Sequence, residues 1–140
     1  MSKAAQARYS AEAALRAYLA PRVDMLIHYL VVDEPDIARW QSGLFALTGA
    51  RKPAYGAFLV PFAQASRSHL RTTLWGQIRP RTGRQTYRLQ QFRSGAWRTV
   101  TVARTDSRGF FTRTVRADKG AQFRVWSPRD KRYSPVVTLR

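Results

Sequence analysis

Cysteine is absent from this 140-residue chain, and acidic residues are scarce. Without cysteine the protein can form no disulfide, no thiolate nucleophile and no cysteine-ligated zinc site. Lysine is also rare, because only four of the 25 basic residues are lysines, so arginine carries nearly all of the formal net charge of +17. A field of this size attracts polyanions over a Debye length. We therefore expect weak, non-specific polyanion binding, and the charge by itself predicts no fold.

A long hydrophobic run is also missing. The most apolar stretch, Val23 to Val32, is interrupted by an aspartate and a histidine and falls well short of the roughly 20 residues that a membrane helix needs. Arg8, Glu12 and Arg16 lie where a signal peptide would carry its apolar segment. We expect no signal peptide in this chain and no membrane insertion.

The first half of the sequence predicts helices around one strand. Residues 3–20 are rich in alanine and predict a helix, and residues 23–32 are β-branched and apolar on both alternate faces. That pattern favours a strand buried on both sides, as in a parallel sheet. Short helices are predicted over 36–40 and 54–59, and a linker over 63–69. Nothing in this half supplies the neighbours of such a strand, so we expect the first 62 residues to be only partly ordered or to self-associate, while residues 68–140 fold independently.

The second half changes to a period of two residues, with turn signals every eight to twelve residues from residue 70 onward. Six strands in hairpin succession predict an antiparallel β-sandwich, so the overall class is mainly β. The alternation nominates these core residues: Leu74, Ile78, Tyr87, Leu89, Trp97, Val100, Val102, Phe111, Val115, Phe123, Val125, Val136 and Leu139. Arg88, Arg98, Arg113, Arg116 and Arg124 collect on the opposite face.

Three strings in the first half resemble the closing strand and last helices of a bacterial (β/α)8-barrel (TIM-barrel) glycoside hydrolase of the cellulase-like clan. They are Tyr29-Leu-Val-Val-Asp-Glu-Pro35, Trp40-Gln-Ser-Gly-Leu44 and Lys52-Pro-Ala-Tyr55. Residues 1–62 would then be the end of a barrel, whose missing portion is an expected partner.

Three strings in the second half are similar to the Ig-like or fibronectin-III-like accessory domains of secreted bacterial proteins. They are Gly95-Ala-Trp-Arg-Thr99, Asp106-Ser-Arg-Gly-Phe110 and Gly120-Ala-Gln-Phe-Arg124. The resemblances together imply a barrel tail (1–62), a linker (63–69) and an Ig-like sandwich (70–140). They also imply a secreted, extracellular parent protein, in which the sandwich is a carbohydrate-binding or spacer module.

The barrel resemblance nominates four substrate-binding residues. Asp33 and Glu34 would lie at the carboxyl end of the eighth strand, where barrel enzymes contact substrate. Trp40 and Gln41 would offer a stacking ring and an amide for sugar hydroxyls. The alternative is that Asp33, Glu34 and Asp36 are turn and cap residues, and that Trp40 belongs to the core.

No catalytic residue is predicted. Glycoside hydrolysis needs two carboxylates across the scissile bond, and in the resembled family they come from the fourth and seventh strands, which this chain lacks. The chain alone is therefore expected to have no glycosidase activity. His28 and His69 lack partners for a metal site, and no glycine-rich phosphate loop is present, so no metal or cofactor is predicted.

A second hypothesis is a free-standing basic module that binds nucleic acid or an anionic polysaccharide. Arginines flank a predicted hairpin beside Trp75 and Tyr87, a combination that suits single-stranded nucleic acid when the rings are exposed. The arginines are Arg71, Arg79, Arg81 and Arg84. Burial of Trp75, Tyr87 and Trp97 would remove this stacking surface and leave only a diffuse positive field.

Overall fold

The computed structural model describes residues 1–80 and 82–140. It contains two helices, α1 (Lys3–Leu19) and α2 (Pro53–Leu59). The strands are β1 (Phe62–Ser68), β2 (Arg71–Gln77), β3 (Thr86–Arg93), β4 (Ala96–Arg104), β5 (Phe110–Arg116), β6 (Gln122–Ser127), β7 (Arg132–Tyr133) and β8 (Val137–Thr138). Neither helix is long and apolar enough to cross a membrane.

The strands form two open antiparallel sheets. The first has the order β1-β2-β5, and the second has the order β4-β3-β6-β7, with β8 also paired to β6. The sheets face each other, because one hydrophobic cluster draws Leu74 and Phe111 from the first sheet and Leu89 and Val125 from the second. The chain is therefore a mixed α/β protein in which an N-terminal helix precedes a β-sandwich-like pair of sheets, rather than a mainly β one.

The centre of this core is an aromatic contact between the sheets. The rings of Tyr87 and Phe111 stack with their centroids 4.1 Å apart, and Phe62 packs against Phe111 from β1. Burial raises the pKa of the Tyr87 hydroxyl above its usual 10.0, and the nearby guanidinium of Arg113 opposes that shift. α2 closes one end of the core with Leu59, and Val60 follows it into the same cluster.

Helix α1 forms a third layer on the outer face of the first sheet. Its alanines favour a helix, and Ser2 caps the N-terminus by accepting a 3.2 Å hydrogen bond from the Ala5 amide. Ala14 and Leu15 of α1 pack against Trp75 of β2, whose side chain is 2% exposed. The helix predicted over residues 3–20 is confirmed, and it packs on the sandwich.

The strand predicted over residues 23–32 is wrong. Residues 23–31 form neither helix nor strand, and only Val32 joins an isolated bridge, with Phe45. Met25, Ile27 and Tyr29 are each more than 70% exposed. A run that is apolar on both faces becomes a buried strand only when strands flank it, and the described residues place none beside it.

Two shorter predictions also fail. The linker predicted over 63–69 is mostly strand β1, which pairs along β2 because Phe62 and Ala63 are buried against the core and α1. The helix predicted over 36–40 is a turn in which the Asp36 carboxylate accepts a 2.9 Å hydrogen bond from the Ala38 amide. The second short helix, predicted over 54–59, is confirmed as α2.

Most of the predicted sandwich core is confirmed. Leu74, Ile78, Tyr87, Leu89, Phe111, Phe123, Val125 and Leu139 are buried, and Val115 is partly buried against them. Val102 is instead 61% exposed, and Val100, Val136 and Trp97 also lie outside the buried set. The pairing of β3 with β4 shifts register between Leu89 and Gln90. As a result, Trp97 and Val102 of β4 both lie on the outer face of the sheet.

Candidate functional site

The turn after Val32 is built around an ion pair. The Asp33 carboxylate accepts hydrogen bonds of 2.7 and 3.0 Å from Lys52 Nζ and one of 2.9 Å from the Gly43 amide. Lys52 Nζ also donates to the Gln41 carbonyl at 2.9 Å. The side chains of Asp33 and Lys52 are only 10% and 4% exposed. The Asp33 carboxylate therefore holds residues 33–52 together, and most of its accepting capacity is used.

The other three predicted substrate contacts lie in the same turn. The Gln41 amide donates to the carbonyls of Glu34 and Asp36 at 3.1 Å each, so its donors serve the turn. Glu34 is half-buried. Trp40 is 65% exposed, which makes the alternative of a core tryptophan wrong. The structure thus brings the four residues together, with Trp40 as the side chain most available to a ligand.

The hairpin predicted as a nucleic-acid surface lacks exposed rings. Trp75 and Tyr87 are 2% and 1% exposed, and they belong to different hydrophobic clusters. The guanidinium of Arg79 lies 5.1 Å from the Phe58 ring, and burial lowers its pKa. Arg81, another arginine of this surface, lies outside the described residues. The stacking that such a site requires is therefore not available at this hairpin.

A different surface of the second sheet carries exposed aromatic side chains. Tyr87 and Leu89 of β3 and Phe123 and Val125 of β6 point into the core, so the residues between them point outward. The outward side chains form a row across four strands, which we call the arginine–aromatic ladder. Its members are Phe92 of β3, Trp97 of β4, Arg124 and Trp126 of β6, and Tyr133 of β7.

The ladder is a continuous chain of tilted aromatic pairs and cation–π contacts. The Phe92 and Trp97 rings are 5.3 Å apart, and the Arg124 guanidinium carbon lies 4.3 Å above the Trp97 ring. The same guanidinium lies 3.8 Å from the centre of the Tyr133 ring, which is 4.3 Å from Trp126. These distances are typical of cation–π and aromatic pairs. Arg124 is thus the central member of the row.

Gln90 of β3 fixes the orientation of that central arginine. Its side-chain oxygen accepts a 2.8 Å hydrogen bond from Arg124 Nε, across the direct pairing of Gln90 with Arg124. The two terminal nitrogens of Arg124 have no hydrogen-bond partner among residues 1–80 and 82–140. The guanidinium is therefore held by rings and an amide while four of its five N–H donors remain for a ligand.

The ladder is open to solvent and positively charged. Phe92 and Tyr133 are 41% and 44% exposed, and Trp97, Arg124 and Trp126 are half-buried. Arg88 lies on the same face, directly opposite Trp126. Strands β3, β4, β6 and β7 contain no aspartate or glutamate, and Asp130, in the turn between β6 and β7, accepts a 3.0 Å hydrogen bond from Ser127. A solvent-exposed group of aromatic and apolar side chains is a candidate binding surface.

A groove of about 540 Å³ between α1, β1 and β8 is a weaker candidate. Its polar groups already contact one another: Arg140 reaches Glu12 at 3.2 Å, and its amide donates to Gln64 at 3.0 Å. These contacts join the helix to the end of the sandwich, so we interpret the groove as part of the packing.

Sequence reasoning missed the ladder as a site. It placed Trp97 in the core, because a period of two does not say which face of an edge strand such as β4 is buried. It placed Arg124 correctly on the solvent face, but as one solvated arginine among several. The described residues hold no group of three histidine, aspartate or glutamate side chains able to bind a metal ion. No family model, curated protein or solved structure matches the chain.

Proposed function

We propose that this chain is a non-catalytic C-terminal part of a secreted glycoside-hydrolase-like protein, and that its sandwich binds polysaccharide. The arginine–aromatic ladder is the observation that carries the proposal. Aromatic rings offer large rigid contact area at little entropic cost, and arginine supplies directional donors for hydroxyl and acidic groups. A row that crosses four strands also matches the extended shape of a glycan chain.

The strand order supports an Ig-like sandwich. If β1, β2 and β5 are taken as strands A, B and E, then β4, β3, β6 and β7 correspond to C′, C, F and G. In Ig-like domains B and E share one sheet, while C′ joins the sheet of C, F and G. This agreement supports an accessory module of the kind that the sequence resembles, either a carbohydrate-binding module or a spacer.

The exposed apolar segment of residues 25–32 supports the proposal of a larger parent. Residues 25–32 have the composition of a strand from a parallel sheet, yet Met25, Ile27 and Val31 face solvent. A barrel tail separated from its neighbours would expose these side chains in this way. The proposal that Asp33, Glu34, Trp40 and Gln41 contact substrate depends on that missing barrel.

The proposed function predicts that the ladder retains polysaccharide. We expect the full chain to sediment with at least one insoluble polysaccharide from a panel of cellulose, chitin, xylan and calcium-crosslinked polygalacturonate, and Trp97→Ala to weaken retention about tenfold, or roughly 1.4 kcal/mol. Trp40→Ala is the matched control, because it removes an exposed tryptophan from the turn of residues 33–43. Near-UV dichroism confirms that each variant is folded.

Three outcomes are informative. Loss of binding in Trp97→Ala alone supports the ladder, and loss in Trp40→Ala alone moves the site to the turn predicted from the barrel resemblance. If the native chain is retained on no polysaccharide, or if neither substitution changes its retention, then the sandwich is a spacer and the binding proposal is wrong.

The second candidate function, nucleic-acid binding, is favoured only by the net charge of +17. Since Trp75 and Tyr87 are buried, we expect binding to a single-stranded oligonucleotide to be independent of sequence and to fall by more than tenfold between 50 and 200 mM salt through counterion release. A fluorescence-anisotropy titration at both salt concentrations measures this. Affinity that survives at the higher salt and differs between oligonucleotide sequences would favour the nucleic-acid module instead.

A further inference from the structure

The covered ring faces of the ladder restrict what it can bind. Arg124 lies over one face of Trp97 and one face of Tyr133. Phe92 packs against Trp97, and Trp126 packs against Tyr133. A neutral sugar stacks on an open aromatic face, and the Arg124 guanidinium already occupies one face of Trp97 and one face of Tyr133. The rim of an aromatic ring carries the positive part of its quadrupole, so ring edges beside a guanidinium attract an anion.

The arginine at the centre suits one class of anion in particular. A guanidinium presents parallel N–H donors in a planar fork that matches a carboxylate in bidentate geometry. Gln90 accepts a 2.8 Å hydrogen bond from Arg124 Nε, and the rings of Trp97 and Tyr133 hold the guanidinium plane. The Arg124 side chain is therefore already ordered and loses little conformational entropy when a ligand binds. Arg88 on the same face adds a second positive charge with no acidic partner among the described ion pairs.

We propose that Arg124 is the specificity-determining residue of this surface and that it selects polysaccharides containing uronic acids by pairing with their carboxylates. The proposal rests on the proposed polysaccharide-binding function and narrows its ligand. The carboxylate lies in the plane of the guanidinium against its two terminal nitrogens, and the flanking edges of Trp97 and Tyr133 contact the sugar rings on either side.

The decisive comparison needs no variant. Polygalacturonate and its fully methyl-esterified form share one backbone and differ in charge, so affinity electrophoresis of the full chain in 300 mM salt isolates the carboxylate. We expect at least tenfold tighter binding of the free acid. Dextran sulfate, run in parallel, reports attraction to any polyanion, and its binding should fall far more steeply with salt than that of polygalacturonate.

Two variants then test whether the preference for the free acid depends on Arg124. Arg124→Lys keeps the charge but loses the planar fork, and we expect it to weaken polygalacturonate binding about tenfold. Arg116 is an exposed residue of β5, in the other sheet. Arg116→Gln therefore removes a charge far from the ladder and should change binding less than twofold. Thermal unfolding checks that Arg124→Lys is folded, and a variant that does not fold leaves the esterification comparison as the test.

The outcomes separate this inference from the function on which it rests. Equal binding of the acid and the ester, both sensitive to Trp97→Ala, would refute the inference and keep the polysaccharide-binding proposal. A loss in Arg116→Gln that is as large as or larger than the loss in the charge-keeping Arg124→Lys would show a diffuse field and also refute it. Polysaccharide binding that is absent altogether, or indifferent to Trp97→Ala, would refute both.

Discussion

A fragment that comprises residues 70–140 is expected to lose most of the free energy of unfolding of the full chain. This fragment lacks β1 and the side chains of Leu59, Val60 and Phe62, which are buried in the main core. Each contributes about 1.5–3 kcal/mol on burial, or roughly 5–9 kcal/mol together. The free energy of unfolding of a whole domain is only about 5–15 kcal/mol. The remaining strands should therefore not form a stably folded domain at 25 °C, and the fragment should show no cooperative unfolding transition.

Thermal unfolding followed by far-UV dichroism tests this expectation. A second fragment, residues 53–140, is the control because it keeps α2 and β1 and loses only α1 and the irregular segment. We expect it to retain a cooperative transition at a lower Tm than the full chain. If the 70–140 fragment melts at the temperature of the full chain, β1 and the preceding residues do not stabilise the sandwich, and the boundary at residue 70 is a true domain boundary.

Trp75→Ala is expected to destabilise the full chain by about 3–5 kcal/mol, the usual cost of removing a fully buried large aromatic side chain. Trp75 is 2% exposed and joins β2 to α1 through Ala14 and Leu15, with Ala63 of β1 in the same cluster. Its ring also lies 5.4 Å from that of Tyr18. The cavity left behind would lie between the helix and the sheet.

Urea unfolding compares this variant with Trp40→Ala, the same substitution at a side chain that is 65% exposed. The control should change stability by no more than about 0.5 kcal/mol. Comparable losses in the two variants would contradict the packing of α1 on the first sheet. A loss in Trp75→Ala that disappears when α1 is also deleted would locate the interaction at the helix.

The sandwich strands were predictable because each strand carries its own signal. Leu89 and Val125 alternate with polar residues, and Gly95, Gly109 and Gly120 adopt positive φ in the turns that separate the strands. α1 was predictable from its alanine content for the same reason. Local sequence therefore determines most of the element types in residues 70–140.

The elements that failed depend on tertiary partners. Residues 63–68 contain no β-branched residue, and they become β1 only because β2 offers an edge to pair with. Residues 23–32 have strong strand character, but the described part of the chain places no strand beside them. Pairing partners that lie far away in sequence, or outside the chain, are invisible to periodicity.

The candidate site illustrates the same limit. The ion pair of Asp33 with Lys52 joins residues 19 positions apart, so the sequence could nominate Asp33 without showing that its carboxylate is already engaged. The contact of Arg124 with Trp97 depends on the strand order β4-β3-β6. A contact that spans three strands becomes visible only when that order is known.

The exposed apolar segment at residues 23–32 makes the solution behaviour of the protein depend on ionic strength. Two copies approach each other through a strong positive potential, since each carries a formal net charge of +17. Added salt shortens the Debye length to about 8 Å at 0.15 M and weakens this repulsion, whereas attraction between apolar side chains persists. We therefore expect dilute buffer to act as a colloidal stabiliser of this chain, and added salt to favour association through the exposed Met25, Ile27 and Tyr29 side chains.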